Sequence, residues 1–581
     1  MRQGPQAVVS GIRVRKLRKQ ETVLKKIKRI IKTSGGENTV GGFLMEGLNN
    51  RRIKIVLTVF TLVMALLAVR VWYIQISCHD ELAQAAVSQY EIQIEGLDNR
   101  GVILDRNLRP LTGGTRQYYY IINKKKKDAE LERLMEESDG RQLAKSSSSY
   151  YVYRMERYNE ETNDFLKEKY GAYVFQSRSR YADDQIACHL IGYLNKDENI
   201  GVSGLELMCQ EELADDGDTL TVWADGAGNI LKGIAPFVTT AAEAADNFNQ
   251  AVSMRTRAVT TTIDRRLQHV CESALAEAGE GGAVIVLNSD TGEIMAWASY
   301  PDFNPNDIAA YLEKGDCLID KATQGAYAPG SVFKIVTAIA ALESGVCDEN
   351  QVFRCDGQIT VEGVTVKCTA AEEEGHGELN MNQAMSCSCN CYFAQLGQMT
   401  GCGEIVKTAA RLGLGSKALK DYPGETTGYI PPEEKVGPWD ITNISIGQGA
   451  ILTTPMQIAR MTAIVACGGR DVEPVIKNDE GKAPGKRIIS AETADKLDSM
   501  LRDVMKSGTG AGSWQLPVRG KTGTAEAVWE DQDVKNCWFT GYFDCGGNRY
   551  VITVLAERGD SGSATAMPVF KAAADFLSKN P

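Results

Sequence analysis

Residues 55–69 (Ile-Val-Leu-Thr-Val-Phe-Thr-Leu-Val-Met-Ala-Leu-Leu-Ala-Val) carry no charge, and no other stretch of the 581-residue chain limits its fold so strongly. At 1.5 Å per residue these fifteen positions span about 22 Å, short of the roughly 20 residues that a bilayer requires. Lys54 and Arg70 can snorkel at the two ends, and Trp72 and Tyr73 suit an interfacial belt, which extends the span to 53–76. Residues 1–54 hold fourteen Lys or Arg against three acids, so the net charge of -11 belongs entirely to the rest of the chain. A basic head before an apolar span places the N-terminus in the cytoplasm and everything after Ser77 outside it. A cleavable signal peptide would show a shorter basic leader and a small-residue cleavage site, whereas Arg70-Val71-Trp72 follows here. An acidic body behind a basic head also excludes a nucleic-acid binder.

The outer portion reads as folded, since the whole chain is 43% hydrophobic and 24% charged. Four segments emerge: a cytoplasmic basic segment 1–52, the anchor 53–76, an α+β segment 77–250 and a C-terminal domain 251–581. Residues 239–252, rich in Ala, Asn and Asp, serve as a linker. Before it, 98–111 alternates like a strand closing in a turn, 117–122 is strand-like, 127–137 is a charged helix, and 124–127 and 146–149 are loops. After it, an amphipathic helix over 265–279 precedes a hairpin of 282–287 and 293–298. Thr454 and Pro455 start a helix over 456–467. Strands return at 536–544 and 549–557, and a helix over 567–577 ends the chain. Strands at both ends of a helical middle predict an α+β sheet covered by helices.

Fifteen cysteines, fourteen of them beyond Cys78, leave at least one unpaired within the chain. Cys355 and Cys368 flank a hairpin pattern with Glu362-Gly363 as its turn, so a disulfide could cross it. Cys387, Cys389 and Cys391 form a C-x-C-x-C run with His376 the only histidine nearby. Buried thiols explain that run without a metal, and none is predicted.

The chemistry sits in three strings. In Tyr327-Ala-Pro-Gly-Ser331-Val-Phe-Lys334, Ser331 is placed to cap a helix, and Lys334 follows one turn later on an apolar helix. Desolvation disfavours the ammonium, which leaves a neutral amine beside a hydroxyl, a nucleophile with its base attached. The second string is Ser388-Cys389-Asn390. The third is Lys521-Thr522-Gly523-Thr524, in an extended segment. Lys506-Ser507-Gly508-Thr509 also fits the third pattern but ends a helical run, where lysine and glycine are ordinary C-terminal residues. Ser386 neighbours the second string but lacks an asparagine two residues on.

Ser-x-x-Lys, Ser-x-Asn and Lys-Thr-Gly in this order are the signature of penicillin-binding proteins and serine β-lactamases. With Arg100-Gly101, Asp105-Arg106-Asn107, Gly201-Val-Ser-Gly-Leu-Glu206 and Ser445-Ile-Gly-Gln-Gly449 beside them, the chain resembles a class B, monofunctional penicillin-binding protein, a peptidoglycan D,D-transpeptidase. The middle string departs from the common one by cysteine in place of aspartate. The resemblance implies a pedestal or dimerisation-type domain over 77–250 and, over 251–581, an antiparallel sheet flanked by helices. It implies Ser331 as nucleophile, Lys334 as base, Ser388 as proton relay and Asn390 as a ligand of the peptide amide that also positions Lys334. Lys521 would supply positive potential, and Thr522 and Thr524, with Gly523 between them, would hold the substrate carboxylate. The N–H groups of Ser331 and Thr524 would form the oxyanion hole. No cofactor is implied. The implied partners are peptidoglycan stem peptides, β-lactams and a membrane glycosyltransferase of the shape, elongation, division and sporulation type. A D,D-carboxypeptidase, a β-lactamase, or a non-catalytic β-lactam sensor or scaffold are the rival readings.

Overall fold

The computed structural model describes residues 51–77, 91–94, 100–214, 219–223, 237–239 and 258–580, apart from positions 139, 143–148, 196–198, 362, 371, 373 and 479–482. The leader up to residue 50, most of the linker 239–252 and Cys78 therefore lie outside the described residues, as does most of the loop read at 146–149. The chain forms two compact units, Met1–Glu91 and Ile92–Pro581.

In the first unit a helix, Arg51–Trp72, continues into a wider turn, Tyr73–Ser77. Residues Lys54–Ile76 are long and apolar enough to cross a membrane by length and composition. Its two threonines do not break the apolar surface with unpaired hydroxyls. Thr58 and Thr61 donate to the carbonyls of Lys54 and Leu57, each at 2.8 Å.

The second unit is built on a five-stranded antiparallel sheet. Its strands are β1 (Gly281–Asn288), β2 (Ile294–Tyr300), β3 (Arg519–Trp529), β4 (Gln532–Cys545) and β5 (Asn548–Glu557), in spatial order β2-β1-β5-β4-β3. Every residue of β1 is buried, which accounts for its continuous apolar run. Alternate side chains of β4 reach opposite layers. Phe539 packs on Phe570 of the last helix, Met567–Lys579, with ring centroids 4.6 Å apart. Thr540, one residue on, meets Thr462 of the helix Pro455–Ala466 through their hydroxyls at 2.7 Å. That second helix starts on a reciprocal cap between Thr454 and Gln457, with Pro455 in its first turn, as expected. β3 is the edge strand of this sheet, and it packs on the turn Gly330–Phe333 that carries the first motif. The α+β expectation holds, with β4 longer at both ends than the 536–544 read from sequence.

A smaller sheet orders its strands as Arg141–Gln142, Tyr150–Met155, Arg116–Asn123 and Tyr173–Arg178. Helices Ala129–Glu137 and Glu160–Tyr170 close a separate core around Tyr120, Ile122, Leu131 and Leu166. Asp128 and Asn159 cap these helices through their side chains. Lys124–Lys126 forms a single 3₁₀ turn where a loop was expected.

Residues around 100–113 and 181–213 belong instead to the larger core. Val102–Leu104 pairs in parallel with Ala258–Thr260, and Ile103, Leu190 and Leu205 pack with Ile263 and Leu267. The strand expected over 98–111 is only three residues long. Asp105 ends it by accepting from the N–H groups of Asn107 at 2.8 Å and Arg109 at 2.7 Å, which closes the turn.

Two strings far apart in sequence meet here. The Glu206 carboxylate, fully buried, takes Arg100 Nε at 2.6 Å on one oxygen. Arg180 Nε at 2.6 Å and the Tyr181 hydroxyl at 3.0 Å fill the other. Removing the acid strands two buried guanidinium groups, so Glu206→Ala is expected to cost about 3–5 kcal/mol of stability. Urea unfolding measures this, and a loss under about 1 kcal/mol would place the pair among surface bridges.

Candidate active site

The first motif is held by backbone rather than by a cap. Tyr327 and Thr453 exchange backbone hydrogen bonds at 2.9 and 2.8 Å, and Gly330 N–H donates to Gly447 O at 2.8 Å. Gly330 has φ +55°, and a methyl group there would stand 3.0 Å from Thr524 O. Gly447 has φ +72°, and a methyl group there would meet Gly330 O at 2.3 Å. Only glycine allows both approaches, and they wedge the Ser331 turn between the Ser445–Gly449 loop and β3. Ser331 therefore lies inside a 3₁₀ turn, Gly330–Phe333, ahead of the helix Lys334–Ser344. The expectation that Ser331 caps this helix is corrected: Pro329 precedes the 3₁₀ turn and Phe333 occupies the helix's own cap position, neither with a side-chain bond.

Lys334 is fully buried on that helix, as its apolar neighbours foretold. Its Nζ donates to Ser388 O at 2.6 Å, to Asn390 Oδ1 at 2.7 Å and to Ser388 Oγ at 3.1 Å. Among the described residues, no hydrogen bond joins it to Ser331 Oγ, a looseness usual before substrate arrives. Ser388 sits at φ +56° between the helices Met381–Ser386 and Asn390–Thr400, and this left-handed turn aims its carbonyl at Lys334. Asn390 turns its other end outward, Nδ2 donating to Lys367 O at 2.9 Å.

The third motif reaches the same hydroxyl. Lys521 Nζ lies 3.0 Å from Ser388 Oγ and 3.0 Å from Thr522 O. Ser388 Oγ thus joins both lysines, and all three motifs converge on one atom. Thr524 is exposed on β3, its Oγ1 accepting from Gly562 N–H at 3.2 Å. Gly523 lets β3 approach the first motif, since a methyl group there would lie 3.1 Å from Val332 Cγ1.

Burial strips water from Lys334 and lowers its pKa to about 8, with the neighbouring cysteines Cys389, Cys368, Cys387 and Cys391 opposing the shift. Lys521 is held well below the ordinary lysine value, by burial first and by Lys334 beside it second. Two ammonium groups on one hydroxyl repel, so the site favours at least one neutral amine, the state a base needs.

Two groupings were not legible in the sequence. Thr509, in the string set aside as a helix end, bonds Thr522 Oγ1 at 2.6 Å, and its N–H donates to Ser386 O at 3.0 Å. The Lys506 string thus braces the third motif without replacing it. The cysteines also group differently from the reading above. Cys355 and Cys368 are free thiols, so the hairpin forms without the disulfide. Cys389 stands with Cys355, Cys368 and His376, the four ligand atoms all within 4.8 Å of one another, and Cys391 of the same run also interacts with Cys355, Cys368 and Cys389.

Residues 282–575 match the family model described as the penicillin-binding protein transpeptidase domain, just over half of the chain. The chain belongs to that family. Among similar curated proteins, the peptidoglycan D,D-transpeptidase MrdA of Acinetobacter baumannii is 28% identical over 463 residues, covering 69% of this penicillin-binding protein and 66% of that one. Stage V sporulation protein D of Bacillus subtilis is 26% identical over 524 residues, covering 84% and 78%. The matches to the first relatives thus span from about two thirds to about four fifths of their lengths. Among solved structures, a chain from a peptidoglycan synthase complex that coordinates polymerization and crosslinking superposes with a TM-score of 0.67 at 25% identity, covering 92% of this chain and 99% of that one. The penicillin-binding protein PBP2 of Helicobacter pylori, also solved in complex with MreC, superposes with a TM-score of 0.68 at 20% identity, covering 84% and 99%.

Proposed function

We propose that this penicillin-binding protein is a membrane-anchored D,D-transpeptidase that cross-links peptidoglycan stem peptides through an acyl-serine. The observation that carries the reading is Ser388 Oγ at 3.1 Å from Lys334 Nζ and 3.0 Å from Lys521 Nζ, with Ser331 three residues before Lys334 in the adjoining turn. Ser331 Oγ attacks the carbonyl between the two terminal D-alanines while neutral Lys334 takes its proton. Ser388 passes a proton to the departing D-alanine amine. The N–H groups of Ser331 and Thr524 stabilise the oxyanion. Thr522 and Thr524, with Gly523 leaving room between them, hold the terminal carboxylate, and Lys521 supports it electrostatically. Asn390 binds the peptide amide, and the free edge of β3 offers backbone groups to an extended peptide. An amine of a neighbouring stem peptide then displaces Ser331, which recovers its proton. β-Lactams, shaped like the D-Ala-D-Ala end, acylate Ser331 and stay there.

The same reading divides the chain into a cytoplasmic segment 1–52, an anchor 53–76, a pedestal 77–250 and a transpeptidase domain 251–581, with the N-terminus inside and catalysis outside the cytoplasm. The basic leader supports the orientation. The likeness to a chain from a synthase complex supports a membrane glycosyltransferase as partner, met through anchor and pedestal.

The test uses the full-length protein in detergent, a stem pentapeptide donor and a D-amino acid acceptor. D-Alanine release with a new amide product is expected. Release without the amide would make the protein a carboxypeptidase, and neither product nor penicillin labelling would leave a scaffold.

A further inference from the structure

The cysteine and histidine group beside the second motif has the dimensions of a metal site. A tetrahedral zinc(II) ion, with Zn–S near 2.3 Å and Zn–N near 2.0–2.1 Å, sets ligand atoms about 3.8 Å apart for two sulfurs and about 3.6 Å apart for sulfur and nitrogen. Here Cys368 Sγ and Cys389 Sγ are 3.7 Å apart. His376 Nδ1 is 3.4 Å from Cys368 Sγ and 3.6 Å from Cys355 Sγ. A disulfide would need its sulfurs near 2.05 Å, so this spacing suits an ion between the sulfurs and not a bond. The three thiols are buried and His376 is half-buried.

The local fold converges on the same point. Phe353–Cys355 pairs with Gly377–Leu379, which sets Cys355 opposite Gly377, next to His376. Gly375 has φ +87°, and a methyl group there would lie 2.2 Å from Cys355 O, so only glycine brings His376 over that strand. Cys368 N–H donates to Gly357 O at 2.8 Å, which anchors the far end of the hairpin Gln358–Lys367. Both sheets are two-stranded, and among its described residues the hairpin buries only Val361 and Val366. Such pieces are marginal alone and take a staple where they hold shape.

We propose that Cys355, Cys368, His376 and Cys389 bind one zinc(II) ion, and that this ion fastens the hairpin Gln358–Lys367 to the turn carrying Ser388 and Asn390. Three thiolates and one imidazole within 4.8 Å of one another select zinc over the oxygen-seeking cations, and four protein ligands close the site, which makes it structural. Cys389 lies between Ser388 and Asn390, so a metal on its sulfur fixes the φ of Ser388 and, through it, the carbonyl that binds Lys334. Asn390 Nδ2 on Lys367 O is a second tie between the same two pieces. The ligands are positioning residues, and this positioning role rests on the catalytic reading above.

The full-length protein, purified in detergent with its thiols kept reduced, is expected to hold about one zinc(II) per chain by elemental analysis. Replacing that zinc with cobalt(II) should give the intense visible bands of a tetrahedral thiolate site. Cys355→Ser and His376→Ala should each lower bound zinc at least about tenfold. Where a variant fails to fold, the wild type answers alone: chelation should slow fluorescent-penicillin acylation about tenfold, and zinc(II) alone should restore it. Ser331→Ala should keep its zinc, so loss of catalysis and loss of metal are separable. No retained zinc after zinc is supplied, zinc unchanged in both ligand variants, or a Cys368–Cys389 disulfide in non-reduced protein would overturn the site. Acylation unaffected by chelation would overturn its positioning role.

Discussion

Ser331→Ala abolishes covalent labelling by fluorescent penicillin, to below detection, while urea unfolding stays within about 0.5 kcal/mol of the wild type. The two halves of this expectation have separate physical causes. The hydroxyl is the only group of the first motif that can form the ester, and the amine that would replace it as nucleophile, on Lys334, is fully buried and bonded to Ser388 and Asn390. The turn, by contrast, is fixed by backbone bonds and glycine contacts, from Gly330 to Gly447 and from Gly330 to Thr524, none of which involves the Ser331 side chain. Labelling that survives the substitution would move the nucleophile elsewhere.

Lys334→Ala slows acylation by about 10²–10⁴-fold, the usual worth of a positioned base. The pH dependence separates loss of the base from loss of shape. With a pKa of about 8, Lys334 is protonated and idle at low pH and becomes the neutral base as pH rises through that value. The wild-type acylation rate should therefore climb roughly tenfold per pH unit below about pH 7 and level off above about pH 9. In Lys334→Ala the remaining slow reaction should lose that climb. A lysine with its ordinary pKa would keep climbing past about pH 10, and a flat wild-type profile from pH 6 to 9 would remove Lys334 from the role of base.

Local pattern was enough for what depends on local pattern. The apolar span, the cap at Thr454, the hairpin of β1 and β2 and the buried helix behind Lys334 all follow from spacing and residue type. Ser331, Ser388 and Lys521 were singled out by motif, yet what brings the three strings together is non-local. Ser388 meets Lys521 across 133 positions because the edge strand β3 brings Lys521 to the turn between two helices that holds Ser388. What pattern could not give depends on backbone angles and distant partners. Ser331 reads as a helix cap because serine caps helices, but Gly330 at φ +55° opens a 3₁₀ turn instead. Thr509 reads as a helix end because its role depends on Thr522, thirteen residues on and in another element. Cys389 reads as one of a run, while its partners Cys355, Cys368 and His376 arrive through a hairpin and a left-handed glycine. Glu206 gave no electrostatic signal in sequence, since its arginines lie 106 and 26 positions away.

The most direct measurement is peptide mapping by mass spectrometry of the full-length protein after brief exposure to a β-lactam. A single acyl adduct on the peptide containing Ser331, absent when the protein is unfolded first, is the result that a shared cleft of Ser331, Lys334, Ser388 and Lys521 predicts. An adduct on Ser386, Ser388 or a cysteine, with the Ser331 peptide unmodified, would contradict it.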